Sequence, residues 1–146
     1  MRIPTVLAAL AVAVLAVAGC SSADATDTAD APAASSPATQ PGVVLVGADE
    51  AVAILDTRDD VTIIDVRTPA EFDAGHLDGA ELIDIYEDAF GSEIDALDRD
   101  AAYLVYCRTG SRSGQAVAFM ETLGFTEVYD AGGLDDLARA GAPTQP

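Results

Sequence analysis

Hydrophobic positions from Val43 onward fall into two alternating patterns. Short apolar runs predict five β-strands, at residues 43–46, 61–66, 80–83, 103–106 and 127–129. Between these runs, apolar residues recur at helical spacing, which predicts helices after Gly47, from Pro69, over residues 92–97, after Ser111 and over residues 134–140. Because strands alternate with helices, we expect an α/β fold in a single domain: a parallel β-sheet of about five strands with helices on both faces.

The first 42 residues follow a different pattern. Arg2 precedes an apolar stretch, Val6 to Val17, that is too short to span a bilayer comfortably. The stretch ends in Val17-Ala18-Gly19-Cys20, which resembles the bacterial lipobox, where the peptide is cleaved before the cysteine and the cysteine is lipidated. An ordinary secretory signal and an uncleaved anchor are the alternatives.

We therefore expect a lipoprotein signal peptide at residues 1–19 and lipid attachment at Cys20. Residues 21–42 are mostly Ala, Ser, Thr, Asp and Pro, so the segment of residues 20–42 is expected to be a disordered tether. The globular domain then comprises residues 43–146. This domain is expected to lie outside the cytoplasm, anchored to the cell membrane by the lipid.

The composition argues against several classes of partner. The chain has 25 acidic residues against 7 basic ones, a net charge of −18, and every basic residue is arginine. A protein this acidic is not expected to bind nucleic acid or an anionic membrane surface through charge. With one histidine, His76, and two cysteines, the sequence lacks the usual ligand set of a metal site. We expect no metal, no cofactor and a monomer.

A reactive cysteine is predicted at Cys107. The apolar run of residues 103–106 leads into a polar loop at this cysteine, and helical spacing begins after Ser111. Cys107 is therefore expected between a buried strand and a helix N-terminus, where backbone N–H groups and the helix dipole favour the thiolate. Arg108 and Arg112 add positive charge. The alternative is an ordinary buried cysteine, but such a residue has no need of two arginines beside it.

Three blocks of sequence resemble the rhodanese-like sulfurtransferases. One is the loop CRTGSRS, from Cys107 to Ser113, which is similar to the active-site loop of that family. Another contains Asp65-Val66-Arg67, Glu71-Phe72 and GHLDGA at residues 75–80, and the last extends from Gly124 to Leu134. The resemblance covers about residues 43–143 and implies one complete rhodanese domain.

The resemblance implies sulfane-sulfur transfer through a persulfide on Cys107. A small donor such as thiosulfate would supply the sulfur, and a thiol or cyanide would accept it. Arg112 is expected to orient the loop and to donate to the anion, and Arg108 is expected to face the entrance. The residues expected to bind substrate are Arg108, Thr109, Gly110, Ser111, Arg112 and Ser113.

Residues outside the loop are expected to support it. The resemblance assigns Asp65 and Arg67 to this group, with Arg67 pairing with Glu71 and Asp65 bracing the active loop. His76 is expected to be structural, because Gly75-His76 turns the chain toward the third predicted strand.

Two other functions stay open. Phosphatases and arsenate reductases related to the rhodanese fold use a similar cysteine loop, which the resemblance implies is one residue longer than the loop from Cys107 to Arg112. A domain that only binds a partner is the second alternative, and loss of the cysteine, its simplest sign, is not seen. If Cys20 is lipidated, Cys107 is the only thiol, so an internal disulfide cycle is not available.

Overall fold

The computed structural model describes residues 42–146. The predicted signal peptide, the predicted lipidation site at Cys20 and the predicted tether up to residue 41 lie outside the described residues. In chain order the elements are β1 Gly42–Leu45, α1 Ala48–Thr57, β2 Val61–Asp65, α2 Pro69–Asp73, β3 His76–Leu77, β4 Glu81–Leu82, α3 Phe90–Asp95, β5 Ala102–Cys107, α4 Ser111–Thr122, β6 Glu127–Gly133, α5 Leu134–Ala140 and β7 Thr144–Gln145.

Five strands form one parallel sheet in the order β1-β6-β5-β2-β4. Strand β5 lies at the centre, and all six of its residues are buried. Helices α3 and α4 contribute Ile94, Ala116 and Met120 to one hydrophobic core, and α1 and α5 contribute Ile54 and Leu137 to the other. The expected α/β fold, a parallel five-stranded sheet covered on both faces, is confirmed.

Local sequence explains where several helices begin. Helix α2 opens with a capping box, in which Thr68 and Glu71 each accept a hydrogen bond from the other's backbone N–H, and Pro69 occupies the first turn. Helix α1 follows Gly47 as its N-cap, and Asp49 and Glu50 lie in its positive first turn. The predicted starts of these two helices, after Gly47 and at Pro69, match the observed ones.

Two parts of the sheet differ from the prediction. Strand β6 continues to Gly133, four residues beyond the predicted end at residue 129, because Gly132 and Gly133 pair with Tyr106 and Cys107 across a register shift in the sheet. In addition, β3 and β7 form a separate antiparallel pair, with His76 opposite Gln145. Neither short strand has enough apolar residues to be distinguished from a loop by sequence.

Candidate active site

Cys107 ends β5 at the carboxyl edge of the sheet. The loop of residues 108–110 connects it to α4, which begins at Ser111. Gly110 has φ of 94°, a left-handed conformation that favours glycine and turns the chain into the helix. The Cys107 residue is only 1% exposed. The site is therefore a recessed thiol facing the first turn of a helix.

Backbone N–H groups surround the Cys107 sulfur. The N–H of Gly110 donates to Sγ at 3.1 Å. Burial raises the pKa of Cys107, but hydrogen bonds from the backbone N–H groups of Ser113, Thr109, Gly110 and Arg112 outweigh it, so the pKa lies below its ordinary value. The loop and the first turn of α4 thus form a cradle for a negatively charged sulfur, and we call residues 108–113 the cradle.

Arg112 fastens the cradle to α2. Its Nη1 and Nη2 atoms donate to the two carboxylate oxygens of Glu71 at 2.7 and 2.8 Å. The guanidinium carbon also lies 5.8 Å from the centre of the Tyr86 ring. Hydrogen bonds from Arg112 lower the pKa of Glu71 to about 2, even though burial of the carboxylate opposes this change. The pairing shows that the charge of Arg112 is already balanced by Glu71, and the loop-orienting role expected for Arg112 stays a prediction.

The predicted pairing of Arg67 with Glu71 is wrong. Arg67 binds Asp65, with Nε 2.9 Å from both carboxylate oxygens and Nη2 2.6 Å from Oδ2. Both side chains are almost fully buried, and Arg67 also donates to the carbonyl of Gly75 at 2.8 Å. Alternate residues of an extended chain point to the same side, so Asp65 is the nearer partner. The hydrogen bonds of the Asp65 carboxylate go to the backbone N–H and the side chain of Arg67, and a bracing role of Asp65 toward the loop stays a prediction.

Tyr106 links the Asp65–Arg67 pair to the strand that carries the nucleophile. The Arg67 guanidinium carbon lies 5.7 Å from the centre of the Tyr106 ring. The Tyr106 hydroxyl accepts a hydrogen bond from the Leu77 N–H at 3.1 Å. Burial, followed by its interaction with Asp65, raises the pKa of Tyr106. The phenol therefore stays neutral and acts as a fixed structural contact beside Cys107.

The hydroxyl groups and arginines of the cradle have different surroundings. Ser113 is buried, and its Oγ donates to the Gly110 carbonyl at 3.0 Å, so it stabilises the turn. Arg108, Thr109 and Ser111 are exposed. Among residues 42–146, the arginines with a carboxylate partner are Arg58, Arg67, Arg99, Arg112 and Arg139. Arg108 is the one arginine of this part of the chain without such a partner, and it is exposed next to Cys107 in the chain.

Sequence reasoning missed two neighbours of the cradle. Tyr86 is 71% exposed and lies beside Arg112, but nothing in the sequence around it signals that position. Gly132 and Gly133 pass directly under the loop at the end of β6, and their signal was the adjacent glycines that follow an apolar strand.

His76 stacks on Phe72 with ring centres 3.6 Å apart, and its Nδ1 lies 3.0 Å from the Phe72 carbonyl oxygen, which gives it a structural role.

Three further features of residues 42–146 concern a cavity, metal binding and membrane crossing. A cavity of about 410 Å³ lies beside the Asp65–Arg67 pair and is lined by Arg67, Glu71, Leu134 and Gln145, among others. Within residues 42–146, no cluster of histidine, cysteine or carboxylate side chains is arranged to hold a metal ion. The helices of the same range are all too short or too polar to cross a membrane.

Fold and site together define an α/β protein with a buried cysteine between a central strand and a helix N-terminus, and comparison with known proteins assigns its family. Residues 47–140 match the rhodanese-like domain. The chain is 37% identical over 75 residues to the thiosulfate sulfurtransferase PspE of Escherichia coli K12, covering 51% of this chain and 72% of that protein. It is 35% identical over 88 residues to the thiosulfate sulfurtransferase GlpE of Pseudomonas putida F1, covering 60% and 78%. The chain belongs to the rhodanese-like family.

Other relatives are longer or are solved structures. The probable adenylyltransferase/sulfurtransferase MoeZ of Mycobacterium tuberculosis is 38% identical over 81 residues, which cover 55% of this chain but only 21% of that protein. The solution structure of the rhodanese-like domain of the Anabaena protein Alr3790 has a TM-score of 0.62 at 26% identity and covers 69% of this chain and 77% of that one. A rhodanese-related protein from Thermoplasma volcanium has a TM-score of 0.59 at 29% identity, covering 68% and 95%.

Proposed function

We propose that this protein is a sulfurtransferase that moves a sulfane sulfur from a small donor such as thiosulfate to a thiophilic acceptor. The observation that supports it most is the cradle, in which backbone N–H groups of four residues lower the pKa of Cys107. Such a site stabilises a thiolate before the reaction and a charged persulfide after the first step. The relatives named thiosulfate sulfurtransferases support the same class of reaction.

The proposed reaction has two displacement steps. The Cys107 thiolate attacks the outer sulfur of thiosulfate, the S–S bond of the donor breaks, and sulfite leaves with the bonding electron pair. A thiolate or cyanide then attacks the outer sulfur of the persulfide, and Cys107 leaves as a thiolate. The cradle holds the negative charge in both resting and loaded forms, and Arg108, at the mouth, meets the anionic donor.

Loss of turnover on removal of the nucleophile tests this proposal. Purified protein is incubated with thiosulfate and cyanide, and thiocyanate is measured. We expect turnover in the unmodified protein, none above the uncatalysed rate in Cys107→Ser, and one added sulfur atom on Cys107 by mass spectrometry after thiosulfate alone. Turnover that survives in Cys107→Ser would contradict the proposal, and so would hydrolysis of an aryl phosphate at a comparable rate.

We also propose that the protein is a lipoprotein, attached to the cell membrane through Cys20 with the rhodanese domain outside the cytoplasm. The lipobox-like Val17-Ala18-Gly19-Cys20 and the polar residues that follow support this location. Membrane fractionation and labelling with a fatty-acid probe test it in the native host. Cys20→Ala is expected to abolish labelling and membrane attachment, whereas Cys107→Ser, the matched control, keeps both. Equal labelling of Cys20→Ala and the unmodified protein would contradict the lipid anchor.

A further inference from the structure

The backbone of β6 approaches the cradle more closely than a side chain would allow. Gly133 is opposite Cys107 in the sheet. A Cβ atom on Gly133 would lie 2.8 Å from the carbonyl oxygen of Arg108 and 3.2 Å from Cα of Thr109. Real Cβ atoms do not approach a backbone oxygen to that distance, and the neighbour is main chain and cannot rotate away. The space under the loop therefore requires glycine at this position.

Backbone conformation does not explain this glycine. Gly133 has φ of −109° and ψ of 140°, which any residue adopts in a strand. Its neighbour Gly132 is different, because its φ of 76° is left-handed and favours glycine for its own sake. The absence of a side chain at Gly133 is thus a matter of contact with the loop alone.

The contact falls on a peptide unit that the cradle uses. The carbonyl oxygen of Arg108 and the N–H of Thr109 belong to one planar trans peptide, in which the two groups point in opposite directions. The oxygen faces Gly133, and the N–H is one of the groups that lower the pKa of Cys107. Because the unit is rigid, displacing the oxygen from its place against β6 also displaces the N–H and changes its alignment with the sulfur.

A second contact between β6 and the cradle involves Gly132. The Oδ1 atom of Asp130 accepts a hydrogen bond from the Gly132 N–H at 3.2 Å and holds the left-handed turn. A Cβ atom on Gly110 would lie 3.5 Å from Cα of Gly132, so the two glycines pack against each other. Gly110 is the residue whose N–H donates to the Cys107 sulfur.

We propose that Gly133, with Gly132 and Asp130, positions the cradle: the end of β6 is the surface against which the loop is pressed so that its N–H groups point at Cys107. None of the three touches the sulfur or the substrate, and they act through the loop backbone. The inference rests on the proposed function, and it adds residues that control the reactivity of Cys107 by positioning the loop backbone.

The test compares two glycine-to-alanine variants by alkylation of Cys107 with iodoacetamide across a range of pH. For Gly133→Ala we expect the pKa of Cys107 to rise by about one pH unit, which lowers the thiolate fraction at lower pH about tenfold. Rates at high pH should converge with those of the unmodified protein, because the thiolate is then fully formed. Gly91→Ala is the control, since its Cβ would meet the Phe119 ring at 3.8 Å, an ordinary contact in α3. The charged groups near the loop, Arg108, Arg112, Glu71 and Asp130, are unchanged in both variants.

A second pair of variants avoids overpacking in case Gly133→Ala does not fold. Asp130→Asn and Asp130→Ala both remove the carboxylate charge, but only Asn keeps an oxygen that accepts the Gly132 N–H. The pKa of Cys107 is expected to be higher in Asp130→Ala than in Asp130→Asn. Equal values for the two, or an unchanged pKa in a folded Gly133→Ala, would overturn the positioning role. An ordinary thiol pKa or absent sulfur transfer in the unmodified protein would instead count against the proposed function.

Discussion

Arg112 acts on the site through both its side chain and its backbone N–H. Its side chain holds Glu71 with two nitrogens, and its backbone N–H is one of the groups that lower the pKa of Cys107. Because the Arg112 guanidinium is paired with the Glu71 carboxylate at 2.7 Å, it stabilises a nearby Cys107 thiolate less than an unpaired guanidinium would. At this residue, the side chain sets geometry and the main chain supplies the electrostatic stabilisation.

The Glu71–Arg112 pair predicts a specific pH dependence of stability. The pKa of Glu71 in the folded protein is about 2, below its ordinary value of 4.5, so the carboxylate contributes stability that is fully present above the ordinary value. That stability is lost as the pH falls through the folded pKa. Glu71→Gln removes it at every pH, so the difference in free energy of unfolding between the two proteins should be larger at pH 7 than at pH 3.

Urea titration at both pH values measures this difference. Glu93→Gln is the control, because Glu93 is an exposed glutamate in α3 and forms no ion pair. If the difference caused by Glu71→Gln is the same at pH 3 as at pH 7, the pair does not act as the geometry indicates. Neither substitution replaces a residue of the cradle, so alkylation of Cys107 reports whether the site survives in each protein.

Among the elements, the loop between β5 and α4 is the one proposed to set the size of the anion that fits. The chain passes from Cys107 to the first turn of α4 in three residues, and the Gly110 N–H donates to the sulfur at 3.1 Å. We predict that one glycine inserted between Ser111 and Arg112 misaligns the backbone N–H groups of the cradle and lowers thiosulfate turnover about a hundredfold, the scale found for loss of one oxyanion-hole donor.

An insertion at the far edge of the sheet controls for folding. One glycine between Asp59 and Asp60, in the exposed turn before β2, lengthens the chain without touching the cradle. It is expected to leave the pKa of Cys107 unchanged. Full sulfur transfer in the protein with the longer loop would show that cradle size does not matter, and new phosphatase activity would show that it selects the anion.

The strands of the main sheet could be predicted from the sequence, whereas contacts between residues distant in the chain could not. Apolar runs located every strand of the main sheet, because burial on both faces leaves a continuous hydrophobic signal. The placement of Cys107 between a buried strand and a helix could be predicted because its signal is local. The partner of Arg112 lies 41 residues away in the chain, and no local pattern reports such a contact. The extension of β6 was missed for a related reason, since glycines carry no side chain to show that they are buried.

For the whole molecule, charge opposes the substrate. The net charge of −18 repels an approaching anion, and Arg108 is the one arginine of residues 42–146 that no carboxylate neutralises. Raising ionic strength from about 0.01 M to about 0.1 M shortens the screening length from about 30 Å to about 10 Å. The long-range repulsion is then largely screened, whereas the short contact with Arg108 persists.

Iodoacetate and iodoacetamide, an anionic and a neutral reagent of similar size, separate these effects. We predict that the ratio of the iodoacetate rate to the iodoacetamide rate at Cys107 rises with salt in the unmodified protein. In Arg108→Ala the ratio should be lower at every salt concentration and still rise. A ratio that falls with salt in the unmodified protein would show that local attraction, and not the acidic surface, governs access.

In the proposed sulfur-transfer cycle, the recessed position of Cys107 gives the empty and the loaded protein different access to other molecules. The resting residue is only 1% exposed, so large molecules are kept from the thiol. Loading adds a second sulfur at the length of an S–S bond, about 2 Å, which carries the transferable atom toward the mouth of the site. Small donors can therefore fill a site that bulky molecules cannot touch, while a bulkier thiol can empty it. The depth of Cys107 would therefore hide the free thiol from large molecules and bring the outer sulfur of the persulfide within reach of an acceptor.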